Sequence, residues 1–77
     1  MPGFHITTHA LERFQERLPG NQNPHRAARK LQSLAEGAYR VGQRHSGERY
    51  YRNGPVLLVV KEKTVVTVYA ADLPYAA

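Results

Sequence analysis

The chain contains no cysteine and no tryptophan among its 77 residues. The absence of cysteine excludes disulfides and thiolate chemistry, and it fits a cytoplasmic protein. Only six residues are aspartate or glutamate, and they are scattered, which argues against a glycosidase pair or a magnesium site. The four histidines lack the spacing of a zinc site, and there is no Gly-rich phosphate loop. The sequence therefore predicts no metal and no cofactor.

Long apolar runs are also missing. Residues 1–8 lack the apolar segment of a signal peptide, and Val56–Val60 is only long enough for a strand. We therefore expect a cytoplasmic protein without a membrane partner. Residues 1–77 are predicted to form one domain with a limited core, and either a monomer or a homodimer is compatible with this size.

Positive charge is abundant by contrast. Eleven Lys and Arg residues give a formal net charge of +5 and a pI near 10.0. Eight of the eleven are arginine, whose guanidinium suits bidentate contacts with phosphate. This balance favours a nucleic-acid or acidic protein partner, although small domains are also basic by chance.

The clearest element is a helix predicted over Thr8–Leu18. Thr7 or Thr8 can cap its start, and the Pro-Gly pair at 19–20 ends it. Its apolar stripe repeats at helical spacing and consists of Leu11, Phe14 and Leu18. A second, polar stripe repeats every four residues and consists of His9, Arg13 and Arg17. The two stripes are centred roughly 130° apart, so the polar one is expected beside the core.

A second helix is predicted from Pro24 to about Glu36, with Asn23 as its N-cap and Gly37 as its stop. The apolar period then changes from 3.6 to 2. Four strands are predicted, at Ala38–His45, Glu48–Arg52, Val56–Lys61 and Thr64–Ala71. The first has a weak, bulged middle at Gly42, and Asn53-Gly54 predicts the hairpin between the second and third.

These elements predict an α+β fold in which two N-terminal helices pack on one face of a four-stranded antiparallel β-sheet. Residues Pro2–Ile6 are either a short edge strand or an irregular lead-in, and Asp72–Ala77 is expected to be loosely held. The other face of the sheet should be apolar in the middle. It should be basic wherever arginines from the first two strands reach it, namely Arg40, Arg44, Arg49 or Arg52.

The helix at 9–17, H-A-L-E-R-F-Q-E-R, and the strand at 65–69, V-V-T-V-Y, carry a family resemblance. The chain resembles small proteins whose opening helix reads H-A-x-x-R-(F/M)-x-x-R. They form a domain family of unknown function grouped with RelE-like toxins, within the barnase, colicin and RelE type of ribonuclease fold. The matching residues are His9, Ala10, Arg13, Arg17, Thr67 and Tyr69. The resemblance implies a RelE-like cytoplasmic toxin that acts on RNA and is controlled by an antitoxin.

Such a toxin would be a metal-independent endoribonuclease, in which a base activates the 2′-OH to attack the adjacent phosphate. His9 is the first candidate for the base or acid, because histidine titrates near neutrality. Arg13 lies one turn further on and could meet the same phosphate, and Tyr69 could act as acid, base or stacking surface. The candidate RNA-binding residues are Arg17, Arg40, Arg44, Arg49, Arg52 and Thr67.

Each catalytic candidate also has a purely structural interpretation. His9 could be a surface histidine, Arg13 could pair with a nearby glutamate, and Tyr69 could be a core or edge aromatic. Two other functions therefore stay open. One is a non-catalytic phage or bacterial binding module that contacts nucleic acid or a protein. The other is a domain that mainly dimerises through its Val-rich sheet face.

Overall fold

A computed structural model describes residues 3–44 and 46–70. Two helices, α1 (Thr8–Arg17) and α2 (Pro24–Glu36), are followed by most of the sheet. Its strands are β1 (His5–Ile6), β2 (Tyr39–Gln43), β3 (Arg49–Asn53), β4 (Val56–Lys61) and β5 (Thr64–Ala70). The sheet order is β1-β5-β4-β3-β2. His45 and the tail predicted at Asp72–Ala77 lie outside the described residues. In the described part of the chain, neither helix is long and apolar enough to cross a membrane.

The α+β class is confirmed, but the prediction of four antiparallel strands is wrong. Within residues 3–44 and 46–70 the sheet has five strands and is mixed, because β1 pairs in parallel with β5. Of the two predictions for the segment before α1, the edge strand is therefore the correct one. A strand of two residues is too short to show a period of two in the sequence, and its partner, from His5 to Thr64, lies 59 residues further along the chain.

Two helix caps lie where the sequence predicts them. The hydroxyl of Thr7 accepts a hydrogen bond from the backbone N–H of Ala10 at 3.0 Å. The same hydroxyl donates to the carbonyl of Val65 on β5, at 3.2 Å. Asn23 caps α2 through a bond from the N–H of Arg26 at 3.1 Å, and α2 ends at Gly37. The Thr7 cap therefore fixes the start of α1 to the strand on which the helix packs.

Both helices cover one face of the sheet, with α1 mainly over β5. Phe14 is 1% exposed, in agreement with its predicted place in the apolar stripe, whereas Leu11 and Leu18 are only partly buried. Ala10 is fully buried, which the apolar stripe did not predict. The largest fully buried side chains are Phe14, Leu31, Leu58, Val65 and Val68. The core is therefore a single layer between the helices and the sheet.

Two local features of β2 and β3 decide which side chains face away from the helices. The register between the strands shifts between Arg40 and Gly42, so the bulge predicted near Gly42 is confirmed. The β3–β4 hairpin is also confirmed, with its turn at Gly54 and Pro55, one residue later than the Asn-Gly signal. Gly54 has φ 61, a left-handed conformation that glycine adopts without steric cost.

Candidate nucleic-acid interface

The face of the sheet that the helices leave uncovered, here called the open face, carries two cross-strand rows of side chains. In antiparallel strands, paired residues share a face. One row consists of Gly42, Tyr50, Val59 and Thr67. The other consists of Tyr39, Arg52, Leu57 and Tyr69. Asn53 points the opposite way, since its amide donates to the carbonyl of Leu34 on α2 at 3.0 Å.

A shallow depression of about 350 Å³ lies on the open face. Its lining is formed by Arg44, Glu48, Tyr50, Leu57, Val59, Val66, Thr67 and Tyr69. Aliphatic side chains form the middle of the depression, as the sequence predicts for this face. Tyrosine and arginine lie towards two of its ends, and Thr67 supplies a hydroxyl between them. The arrangement can therefore take a flat ligand with an apolar surface and negative charge at its margin.

Tyr69 is held by the last turn of α1. The guanidinium carbon of Arg17 lies 4.9 Å from the centroid of the Tyr69 ring, within the range of a cation–π interaction. A terminal nitrogen of Arg17 also donates to the carbonyl of Val68, at 2.9 Å. Because β1 pairs only with the first two residues of β5, this carbonyl has no partner on β1. Arg17 therefore covers the outer edge of β5 and leaves Tyr69 45% exposed.

Tyr50 is held in a similar way at the other side of the depression. The guanidinium carbon of Arg44 lies 5.6 Å from the centroid of its ring. Gly42, directly across on β2, leaves room for the ring, because a Cβ atom there would come within 3.3 Å of the Tyr50 Cδ2. An aromatic ring that covers a glycine of the next strand is a common way to fill such a gap. Tyr50 thus lies against β2 with an arginine nearby.

One negative charge borders the depression. The Glu48 carboxylate accepts a hydrogen bond from the Ser46 hydroxyl at 3.4 Å and lies on the same side of the sheet as Tyr50. Like charges repel, so Glu48 offsets the attraction of Arg44 for a phosphate group at this end of the depression. The Arg17 end has no such carboxylate among the lining residues that the structure describes.

Among the residues that the structure describes, no hydrogen bond, ion pair or ring contact joins the three predicted catalytic residues. Arg13 pairs with Glu16 on the same helix, which agrees with its structural interpretation. His9 is exposed and makes no side-chain hydrogen bond with any described residue. From His9 to Arg17 the helix advances eight residues, or roughly 12 Å. The cationic neighbour of Tyr69 is thus Arg17 and not Arg13.

The predicted RNA-binding residues divide between the two faces. Arg44 and Thr67 line the depression, Arg17 lies against Tyr69 at its margin, and Arg52 lies in the row beside it. Arg52 also donates through Nε to the carbonyl of Gly54 at 3.0 Å.

Two arginines predicted to reach the open face do not do so. Arg40 lies opposite Tyr51, which packs against the core on the helix side. Arg49 lines a smaller depression of about 220 Å³ on that side, together with Phe4 and Tyr51. Arg44 and Arg52 alone of the four keep their predicted face, because alternation along the strands and the β2 bulge set the direction of each side chain.

Tyr50 and Glu48 are the parts of the site that the sequence analysis did not name. Alternation along β3 makes Tyr50 and Tyr51 face opposite ways, and Tyr50 is the one on the open face. The structure places Tyr51 on the helix side together with Asn53, whose amide donates to the Leu34 carbonyl in the last turn of α2. Residues 51 and 53 share a face, so Tyr50 must lie on the other.

No group of three histidine or acidic side chains is arranged to hold a metal ion within residues 3–44 and 46–70. Comparison of the chain with protein-family models, curated proteins and solved structures found no match. The resemblance to RelE-like toxins therefore stays a prediction, based on the residues of the first helix and the last strand.

Proposed function

We propose that this protein binds single-stranded RNA on its open face. The observation that carries the proposal is the Arg17–Tyr69 pair, a partly exposed ring with a guanidinium 4.9 Å from its centroid. RNA bases stack on tyrosine rings and on guanidinium planes, and a nearby arginine can also meet the phosphate. Tyr50 and Arg44 repeat the combination on the far side of an apolar floor.

The shape of the site favours unpaired RNA over a duplex. In a duplex the base faces are covered by neighbouring base pairs, and only edges and backbone are offered to a protein. A shallow depression with tyrosines at two of its ends requires free base faces. The net charge of +5 adds a sequence-independent attraction to phosphate, so binding should weaken as salt is raised.

Replacing Arg17 by glutamine tests the proposal. Arg17→Gln removes a phosphate contact and the cation beside Tyr69, so we expect affinity for unpaired RNA to fall by about fivefold to tenfold. The matched control is Arg29→Gln, which removes the same charge from an exposed position on α2 and should change affinity by less than about twofold. Fluorescence anisotropy with a labelled oligomer at one fixed salt concentration gives both values.

Equal losses in the two variants would show that only net charge matters and would contradict a site at the open face. Absence of RNA binding by the parent protein, together with binding of an acidic protein, would favour the protein-binding alternative.

A toxin-type endoribonuclease is the second candidate, and a specific contact favours it. Arg17 belongs to the polar stripe of α1 that also contains His9 and Arg13, and its contact with Tyr69 links that stripe to β5. In this candidate His9 acts on the 2′-OH or on the leaving 5′-oxygen, and arginine stabilises the charge on the phosphate. An antitoxin partner and a cytoplasmic location remain predictions of the resemblance.

Incubation with labelled RNA in EDTA tests this candidate. Cleavage by the parent protein, with slower or no cleavage by His9→Ala, is the expected result if His9 transfers a proton. The Arg29→Gln protein, purified in the same way, controls for a contaminating nuclease because its rate should match the parent. RNA that stays intact with the parent contradicts cleavage and leaves the binding proposal standing.

A further inference from the structure

The two ring positions of the open face lie far apart. Tyr50 is on β3 and Tyr69 on β5, with β4 between them. Tyr50 pairs with Val59 on β4, and Val59 pairs with Thr67 on β5. Tyr69 lies two residues beyond Thr67 along β5. Two strand spacings of about 4.8 Å and two residues of about 3.3 Å place their Cα atoms about 12 Å apart, on a diagonal.

Side chains stand roughly perpendicular to a sheet, so rings attached this far apart do not fit a pair of neighbouring stacked bases, whose spacing is about 3.4 Å. The side chains between the two rings are the aliphatic Leu57 and Val59, with Thr67 beside them. None of these three has an aromatic face that could continue a stack from one ring to the other. Bases held at the two tyrosines would therefore be separated from each other by aliphatic surface.

Each ring also has one side engaged by the protein. Arg17 lies by the Tyr69 ring, and Gly42 and Arg44 lie by Tyr50. A guanidinium over one face of a ring leaves no more than the other face for a base, so each position takes at most a single base. At the Tyr50 end the Glu48 carboxylate offsets the charge of Arg44, so attraction to phosphate is weaker there than at the Arg17 end.

Resting on the RNA-binding function proposed above, we infer that the open face has two separate base-binding positions, one at Tyr50 and one at Tyr69. They hold two non-neighbouring bases of one unstacked strand, which crosses β4 diagonally. At least one nucleotide lies between the two held bases, over Leu57 and Thr67. The ligand class is thus extended, weakly stacked single-stranded RNA, and uridine-rich strands suit it because they unstack at low cost.

An abasic scan tests this inference. A uridine oligomer of about eight nucleotides is first shortened to the minimum that keeps full affinity, so that only one register remains. Each base is then removed in turn, and affinity for the parent protein is measured by fluorescence anisotropy. We expect a loss of about tenfold at two positions that are not adjacent, and little change at the position between them.

Single tyrosine variants then match each base to its ring. With the Tyr50→Leu protein, removal of one of the two sensitive bases should no longer lower affinity, whereas removal of the other still should. With the Tyr69→Leu protein, the two bases should exchange these behaviours. The scan on the parent protein does not depend on the folding of any variant. If the two sensitive positions are adjacent, or if both variants affect the same position, this inference is overturned but the proposed function is not. A parent protein that binds no oligomer would overturn the proposed function as well.

Discussion

Phe14→Ala is expected to lower the free energy of unfolding by about 3–5 kcal/mol, the usual cost of removing a buried phenylalanine ring. Phe14 is 1% exposed and belongs to the core cluster with residues of both helices and of β4 and β5. Domains have roughly 0.05–0.15 kcal/mol of stability per residue, so about 4–12 kcal/mol is expected for this chain. The loss is a large part of that stability, so the midpoint of urea denaturation, followed by circular dichroism, should fall markedly.

Leu11→Ala is the matched control, because Leu11 lies on the same helix and is only partly buried. It should lose about 1 kcal/mol, since less apolar surface and little or no cavity are involved. Equal losses in the two variants would mean that α1 does not bury Phe14 more deeply than Leu11. The comparison thus tests the orientation of α1, on which the position of Arg17 also depends.

The helices could be predicted because their signals are local. Thr7 and Asn23 are caps that act within three residues, and Gly37 ends α2 at the point where the apolar period changes. The edge strand β1 could not be predicted with the same certainty. Its two residues are stabilised by a parallel pairing with Thr64 and Val65, and no local pattern encodes a partner that distant in the chain.

The sequence predicted the general character of the open face, apolar in the middle with arginines around it, but not which arginines lie on it. Arg44 and Arg52 reach it, while Arg40 and Arg49 lie on the other face. The sequence contains the alternation of side chains but not its phase, since a shift of one residue reverses every side chain. Tertiary contacts, such as the bond from Asn53 to α2, fix that phase.

Arg17 shows a related limit of prediction at the margin of the site. The sequence placed it on a polar stripe with His9 and Arg13, and the helix does present it beside the core. Its function in the fold depends on β5, whose outer edge β1 leaves uncovered beyond Val65. A bond to the Val68 carbonyl brings the guanidinium to Tyr69, which no pattern within α1 alone could indicate.

The double variant Tyr50→Leu, Tyr69→Leu is expected to lower affinity for unpaired RNA by about a hundredfold. Base stacking on an aromatic ring contributes about 1–3 kcal/mol per base, so we expect each single variant to lose about tenfold. Leucine retains the apolar cover of the sheet but has no ring face. The Cα atoms of the two tyrosines are about 12 Å apart, so the effects of the two substitutions should add. Titration by fluorescence anisotropy measures all three affinities.

Tyr39→Leu provides the control for this double variant. Tyr39 is on the same face and is 61% exposed, but it lies on the edge strand β2, outside the depression. Its loss should change affinity by less than about threefold, the range of an ordinary surface substitution. A loss in Tyr39→Leu as large as that in Tyr69→Leu would mean that tyrosines contribute by exposure alone. In that case a position in the lining of the depression would not define the site.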